Sequence, residues 1–316
     1  MAWPLIRLLP KSFHYRFVKW SPYTGVVSAI LIVASIGLLA FQGLNLGIDF
    51  KGGTLIEVAT QGPAPLAELR NSLSAMGAHD AQVQGFGAPN AAMLRFMPEA
   101  GQNPVLIARE FETKLSAQFP GIQFKRVEVV GPKVSGELLK SGFLALVIAL
   151  LLMLGYIWFR FQLQFGLGAC AAVFHDIILT LGLLSVMHIE FSMTEIAALL
   201  TVIGYSMNEK VITFDRLKEN LRKYKTKPLA EIIDLSENER LSRTIITGTT
   251  ALLALGGTMF FGGPVLFPLV FTMTFGIIIG TYSSIYVALP LILLWGVRRN
   301  DEAAEVLPPM TPRRQG

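Results

Sequence analysis

The sequence predicts an α-helical polytopic membrane protein with six transmembrane helices and one α+β domain inserted between the first and second. Three observations lead there. Mostly apolar runs of bilayer length recur along the chain, a more polar stretch over 45–137 separates the first run from the others, and the Lys and Arg residues of the flanks and loops between the runs gather on one side of the resulting crossings. Composition agrees. Of 316 residues, 52% are hydrophobic and 16% charged, with a mean hydropathy of +0.52. A soluble domain averages about 45–50% apolar and about 25% charged, so a simple cytosolic enzyme and a disordered chain are both disfavoured. Cys170 is the single cysteine, so any part outside the cytosol folds without an internal disulfide.

A hydrocarbon core needs about 20 mostly apolar residues per helix. The runs are Thr24–Leu44, Gly142–Phe159, Phe165–Val186, Ile196–Phe214, Ile245–Phe261 and Leu266–Trp295, the last long enough to place its ends at the interfaces. The first is not a cleaved signal: a long flank precedes it and the run exceeds the ~7–15 residues of a signal core. The chain therefore divides into a flank (1–23), a first span (24–44), an outer domain (45–137), five further spans (138–297) with a basic loop at 215–243, and a tail (298–316). The tail, with Pro308, Pro309 and Pro312, reads as flexible.

Arg7, Lys11, Arg16 and Lys19 precede the first span, Arg160 follows the second, and Arg298 and Arg299 follow the sixth. The segment between the fourth and fifth holds Arg216, Lys218, Arg222, Lys223, Lys225, Lys227, Arg240 and Arg243. The opposite connections, His188–Glu195 and Gly262–Val265, hold no Lys or Arg. By the positive-inside rule both termini are cytoplasmic and 45–137 lies outside. The pI near 9.3 and net charge of +5 then report topology. Without interleaved aromatics the basic loops do not read as nucleic-acid sites.

Within the outer domain, Gly53–Thr60 alternates as a strand, with Leu55 and Glu57 on one face and Ile56 and Val58 on the other. Pro65 opens a helix through Met76 with Leu66, Leu69 and Leu73 on one stripe, stopped by Gly77. Ala81–Phe86 and Ala92–Met97 are strands joined by a Gly87–Asn90 turn. Pro104–Phe119 is a second helix, with Ile107, Phe111 and Leu115 inward; Pro120-Gly121 breaks it before the strand Ile122–Val130. The order β-α-β-β-α-β is that of a ferredoxin-like domain. It concentrates no catalytic side chains, and suits a binding or lever module. Gly47, Asp49, Lys51, Gly52 and Gly53, at the exit of the first helix, read as a tight turn coupling helix to strand.

Enzyme signatures are missing from the sequence. It has no Gly-x-x-x-x-Gly-Lys-Ser/Thr run, no His-Glu-x-x-His and no Gly-x-Ser-x-Gly, and His14, His79, His175 and His188 are scattered. No metal or cofactor is expected. The informative residues are polar groups inside spans. Asp176 sits near the middle of the third beside His175, and Glu209 and Lys210 lie near the cytoplasmic end of the fourth, preceded by Tyr205, Ser206 and Asn208. Arg243, Thr244, Thr247, Thr249 and Thr250 open the fifth. An ionisable group at helix centre costs ~2.5–3.5 kcal/mol on translocon scales, so it needs a partner or a watered path. Two readings stand. Glu209 and Arg243 form a static ion pair while Lys210 snorkels to the headgroups, or Glu209 takes up and releases a proton as the Arg moves. Asp176 with His175 is either structural or a relay.

The residues Gly47-Ile48-Asp49-Phe50-Lys51-Gly52-Gly53-Thr54 resemble the segment after the first helix of the bacterial protein-export family SecD/SecF. So do Val130–Leu138, Phe174-His175-Asp176, the run Gly204–Arg216, Leu241–Thr247 and Gly280–Ser284, in the family's order. The resemblance is to the SecF branch and covers about residues 12 to 297. It implies a place in the resistance-nodulation-division superfamily, a SecD partner, association with the SecYEG channel and YajC, and residence in the bacterial inner membrane. It further implies use of the proton gradient to pull or release preproteins on the outer side. Glu209 matches a family position that usually holds Asp, and Arg243 matches the family arginine. Both are implicated in proton transport together with an Asp supplied by SecD. Glu keeps the carboxylate and adds a methylene, which changes its reach. Protons are then the coupling ion. The other classes to weigh are a stand-alone exporter of small molecules or lipids, and a purely structural subunit that stabilises SecD.

Overall fold

Hydropathy marks the bilayer-length middle of a helix rather than its ends, and most helices of the computed structural model, which describes residues 13–78, 81–98, 102–161 and 163–296, run past their apolar segments, although the first stops at Phe41, short of the expected Leu44. The basic residues Arg7, Lys11, Arg298 and Arg299, together with His79 and the tail, lie outside the described residues. Helix α1 spans Phe17–Phe41. A short strand β1 (Asn45–Leu46) and one helical turn α2 (Ile48–Lys51) lead into β2 (Gly53–Ala59). Then come α3 (Leu66–Ala75), β3 (Gln82–Phe86), β4 (Ala88–Phe96), α4 (Pro104–Gln118) and β5 (Gln123–Val130). The helices α5 (Pro132–Arg160), α6 (Leu163–Val186), α7 (Met193–Lys223), α8 (Leu229–Phe261) and α9 (Gly263–Ser283) follow, with a strand β6 (Glu190–Phe191) before α7. The expected last span is not one regular helix. After α9 a π-helical turn, Ser284–Ala288, precedes α10 (Leu289–Trp295).

Among the described residues, five helical segments are long and apolar enough to cross a membrane: α1, α5, α6, α8 and Gly263–Trp295. Helix α7 has 31 residues but is amphipathic and buries Glu195, Ser206, Glu209, Lys210, Thr213 and Asn220. That polar content keeps it below the hydropathy of its neighbours. It packs against α6, α8 and α9, and its polar face turns into the bundle.

The outer sheet has strand order β3-β4-β2-β5, every neighbour antiparallel. Ile56, Val58, Leu94, Leu69, Leu73, Phe111 and Leu115 form its core with α3 and α4, and Phe96 stacks on Phe111 at 4.4 Å between centroids. Asn103 caps α4 through Val105 N–H, and Pro104 takes the first helical position, where a missing N–H costs nothing. The β3–β4 turn is tighter than the expected Gly87–Asn90 loop: β4 starts at Ala88, and Gly87 turns alone at φ +73°. A side chain there would also strike Pro264, with a Cβ only 2.7 Å from the proline Cβ. The sheet edge thus rests on the α8–α9 turn.

The segment 47–53 is more than the tight turn expected of it. Gly47 N–H donates to Phe191 O at 2.9 Å, β1 pairs in parallel with β6, and Asp49 Oδ2 accepts from Met193 N–H at 2.9 Å. The carboxylate meets the first N–H groups of α7, where a negative charge is favoured. Arg95 of β4 pairs with Glu190 of β6 at 2.5 Å. The outer domain is thereby tied to the start of α7.

Candidate functional site

Among the described residues, two buried ion-paired networks lie in the bundle. The first is centred on Asp176 of α6, 1% exposed, and Lys210 of α7, 0% exposed. Lys210 Nζ donates to Asp176 Oδ2 at 3.0 Å and to Ser283 Oγ at 3.0 Å. Ser283 Oγ donates to the same carboxylate oxygen at 2.8 Å, and Ser206 Oγ contacts both Asp176 Oδ2 and Lys210 Nζ. Asp176 Oδ1 meets His175 Nδ1 at 2.9 Å. The His175 ring stacks on Tyr282, and its Nε2 is buried with no partner among the described residues. Ser206 and Lys210 share a face because they are one helical turn apart.

The second network joins Glu209 of α7, 1% exposed, to α8. Its partner is Arg240: Nη1 lies 3.3 Å from Glu209 Oε2 and 2.7 Å from Thr244 Oγ1, and Thr244 Oγ1 donates to the same Glu209 oxygen at 3.2 Å. Arg240 also binds Glu237 through Nε (2.8 Å) and Nη2 (2.6 Å), and Ser284 Oγ through Nη2 (3.1 Å). One guanidinium thus sits between two buried carboxylates. Its planar fork suits that place, since it presents five donors in fixed directions.

Two expectations are corrected here, and a third is extended. Arg243 is not the counter-charge of Glu209. It is exposed, because Glu237, Arg240 and Thr244 step by three and four along the buried face while Arg243 points about 100° away from Thr244. Lys210 does not snorkel. It lies deep in the bundle, pinned by Asp176 and two serines. Asp176 engages Lys210, Ser206 and Ser283 as well as His175. Asn208 is exposed, outside both networks, and Tyr205 is half-buried with its hydroxyl facing Gly248.

Arg240, Glu237, Ser283 and Ser284 escaped sequence reading. The first two carried a signal, since Glu237-x-x-Arg240-x-x-x-Thr244 has the spacing of one helical face. The serines had only the Gly280–Ser284 motif to mark them. Ser283 joins the first network and Ser284 the second, at the junction of α9 with the π-helical turn. Such turns appear mostly as single bulges, frequently at functional sites. Among the described residues no group of three or more His, Cys, Asp or Glu could hold a metal ion.

A multi-pass helical bundle with charged pairs at its centre, tied to a small α+β domain, is the architecture of a membrane protein of the transport class. A sequence model described as "Protein export membrane protein SecD/SecF, C-terminal" matches residues 110–298, and one described as "SecD/SecF GG Motif" matches 37–64. The "Protein translocase subunit SecF" of Rhodobacter capsulatus is 40% identical over 311 residues, covering 94% of this chain and 93% of its own. That of Desulfurispirillum indicum is 42% identical over 295 residues, covering 91% and 94%. The crystal structure of SecDF from Thermus thermophilus, titled a translocon-associated membrane protein, superposes with a TM-score of 0.82 at 31% identity over 92% of this chain. This chain spans 40% of that one. The chain belongs to the SecD/SecF family of protein-export membrane proteins.

Proposed function

We propose that the chain is a SecF-type subunit of the bacterial Sec export machinery, which works with SecD and the proton gradient to advance and release preproteins on the outer side of the inner membrane. In this reading α7 is a sixth crossing, both termini are cytoplasmic, and the outer β-α-β-β-α-β unit is a ferredoxin-like periplasmic lever. SecYEG and YajC are partners by resemblance. Protons are the coupling ion, and no cofactor takes part.

The observation that carries the reading is the Glu209–Arg240–Glu237 array beside the Asp176–Lys210 pair, both inside the bundle. Buried ion pairs contribute little net stability, because desolvation offsets their attraction. Two of them in one bundle fit a protein that changes their protonation in use. One proton crossing 100 mV supplies ~2.3 kcal/mol, enough to shift a two-state bundle. Arg243 and Asn208 bear on the partner. They are exposed on adjacent helices, and an arginine facing hydrocarbon is costly. A SecD helix bearing an acidic side chain would cover them, as the family resemblance implies.

The test is Glu209→Gln in membrane vesicles holding the assembled complex. Preprotein release that depends on the proton gradient should fall at least tenfold while SecD still copurifies. Unchanged gradient-dependent release with assembly intact would leave the structural-subunit reading in its place.

A further inference from the structure

A cleft of about 1230 Å³ lies between the outer sheet and the α8–α9 turn. Its roof is the bundle-facing side of the sheet, with Glu57, Lys125 and Arg126; its floor is apolar, with Met259, Phe260, Val265 and Phe267. Phe260 is 84% exposed, and the floor is formed by the ends of two segments apolar enough to cross a membrane. The floor is therefore continuous with the surface that faces acyl chains. The contact of Gly87 with Pro264 holds the roof directly above it.

The roof carries a built irregularity. Along β5, Arg126 pairs with Glu57 but Phe124 pairs with Val58, so Lys125 is an extra residue in the ladder. A bulge of this kind sets two residues of one strand against one of its neighbour and re-aims a side chain. Lys125 and Arg126 both line the cleft as a result. Arg126 is engaged by Glu128 at 2.5 Å and Glu57 at 3.4 Å. Lys125 Nζ donates to the neutral Gln123 Oε1 at 2.7 Å, and no carboxylate among the described residues pairs with it. Burial pushes the Glu57 carboxyl above its usual range despite Arg126, which weakens it further as a counter-ion.

We propose that this cleft holds one phospholipid of the outer leaflet, its phosphate on Lys125 and its acyl chain along Phe260 and Phe267. A cation without a carboxylate partner, set above an apolar floor at membrane level, matches a headgroup phosphate joined to a hydrocarbon tail. The site is independent of the proton-coupling reading, because neither buried network touches it.

The full chain, reconstituted with a photoactivatable phosphatidylethanolamine, tests this. Crosslinks should map to 259–267 and 123–126. Native mass spectrometry should show phosphatidylethanolamine retained over diacylglycerol, and Lys125→Gln should lower that retention about fivefold, the scale of one cation near a membrane surface. Lys114→Gln, on α4 and paired with Glu110, should leave it unchanged. Four results would overturn the proposal: equal retention of diacylglycerol, no effect of Lys125→Gln, competition by soluble glycerol phosphate at equal concentration, or displacement of the lipid by an apolar decapeptide.

Discussion

Replacing Lys210 with Met removes one half of a fully buried ion pair and keeps most of the side-chain volume. At 3.0 Å, two unit charges in an effective dielectric of 20 attract by about 5 kcal/mol. Desolvation of both offsets most of that in the intact pair, but a single deletion leaves Asp176 charged and uncompensated, at a cost of about 3–5 kcal/mol. His175, Ser206 and Ser283 still contact the carboxylate, which puts the expected loss near the lower figure. Asp176→Asn should cost a similar amount by stranding Lys210. The double variant removes both charges and should lie within about 1 kcal/mol of the parent. Reversible unfolding of the full chain by SDS in mixed micelles, followed by tryptophan fluorescence, measures all four corners of the cycle. A coupling of about 3 kcal/mol or more is expected. Small single-variant losses that simply add would mean that Lys210 reaches the interface in the membrane, and would refute the buried-pair argument.

Three further outcomes follow. Arg240→Gln strands Glu209 and Glu237 together and should destabilise the isolated chain by about 3 kcal/mol in the same unfolding assay, whereas Arg243→Gln should leave that stability unchanged and reduce copurification of SecD. For Glu57 the folded state keeps its proton to higher pH than the unfolded chain, so stability of the outer domain falls as pH rises from the ordinary glutamate pKa through the raised folded value. Hydrogen exchange in β2 and β5, corrected for intrinsic rate, should show that loss of protection in the parent and not in Glu57→Gln.

Much of the architecture was legible because its signals are periodic. The strand alternation of 53–60 and the Leu66, Leu69, Leu73 stripe each specify a face without knowledge of any partner. Charge pairing was less legible. Arg243 attracted attention as the cation of a matching motif, but helical phase decides which side chain enters the bundle, and the phase of α8 is set by where it starts, at Leu229. Reading back from Glu237, Arg240 and Thr244 as one face would have found the correct arginine. Lys210 was misplaced for a different reason. It lies near the end of the apolar run Ile196–Phe214, but α7 continues to Lys223, so Lys210 is at mid-helix, and its buried partner Asp176 lies thirty-four residues earlier on another helix. No local pattern encodes that distance. The pairing of Asp49 with the start of α7 is equally non-local, joining residues 144 apart.

These long-range links give α7 its mechanical position. Its first turn is held by Asp49, and the residues before it by the β1–β6 ladder and the Arg95–Glu190 pair. Ser206, Glu209 and Lys210 then lie at its middle, on faces turned toward α6, α8 and the end of α9. A regular helix of 31 residues is about 46 Å long at 1.5 Å per residue, and its ladder of hydrogen bonds resists bending. A change of charge at Glu209 or Asp176 is therefore poorly absorbed within α7 itself. In the proposed mechanism it is relieved by sliding or rotating the helix against α8 and α9, where Ser283, at the end of α9, and Ser284, at the start of the π-helical turn, meet the two networks. Because Asp49 and Glu190 connect the start of α7 to the sheet, such a displacement would move the outer domain as well. In the proposed mechanism, the sequence segment 45–53 is the joint between charge state and lever.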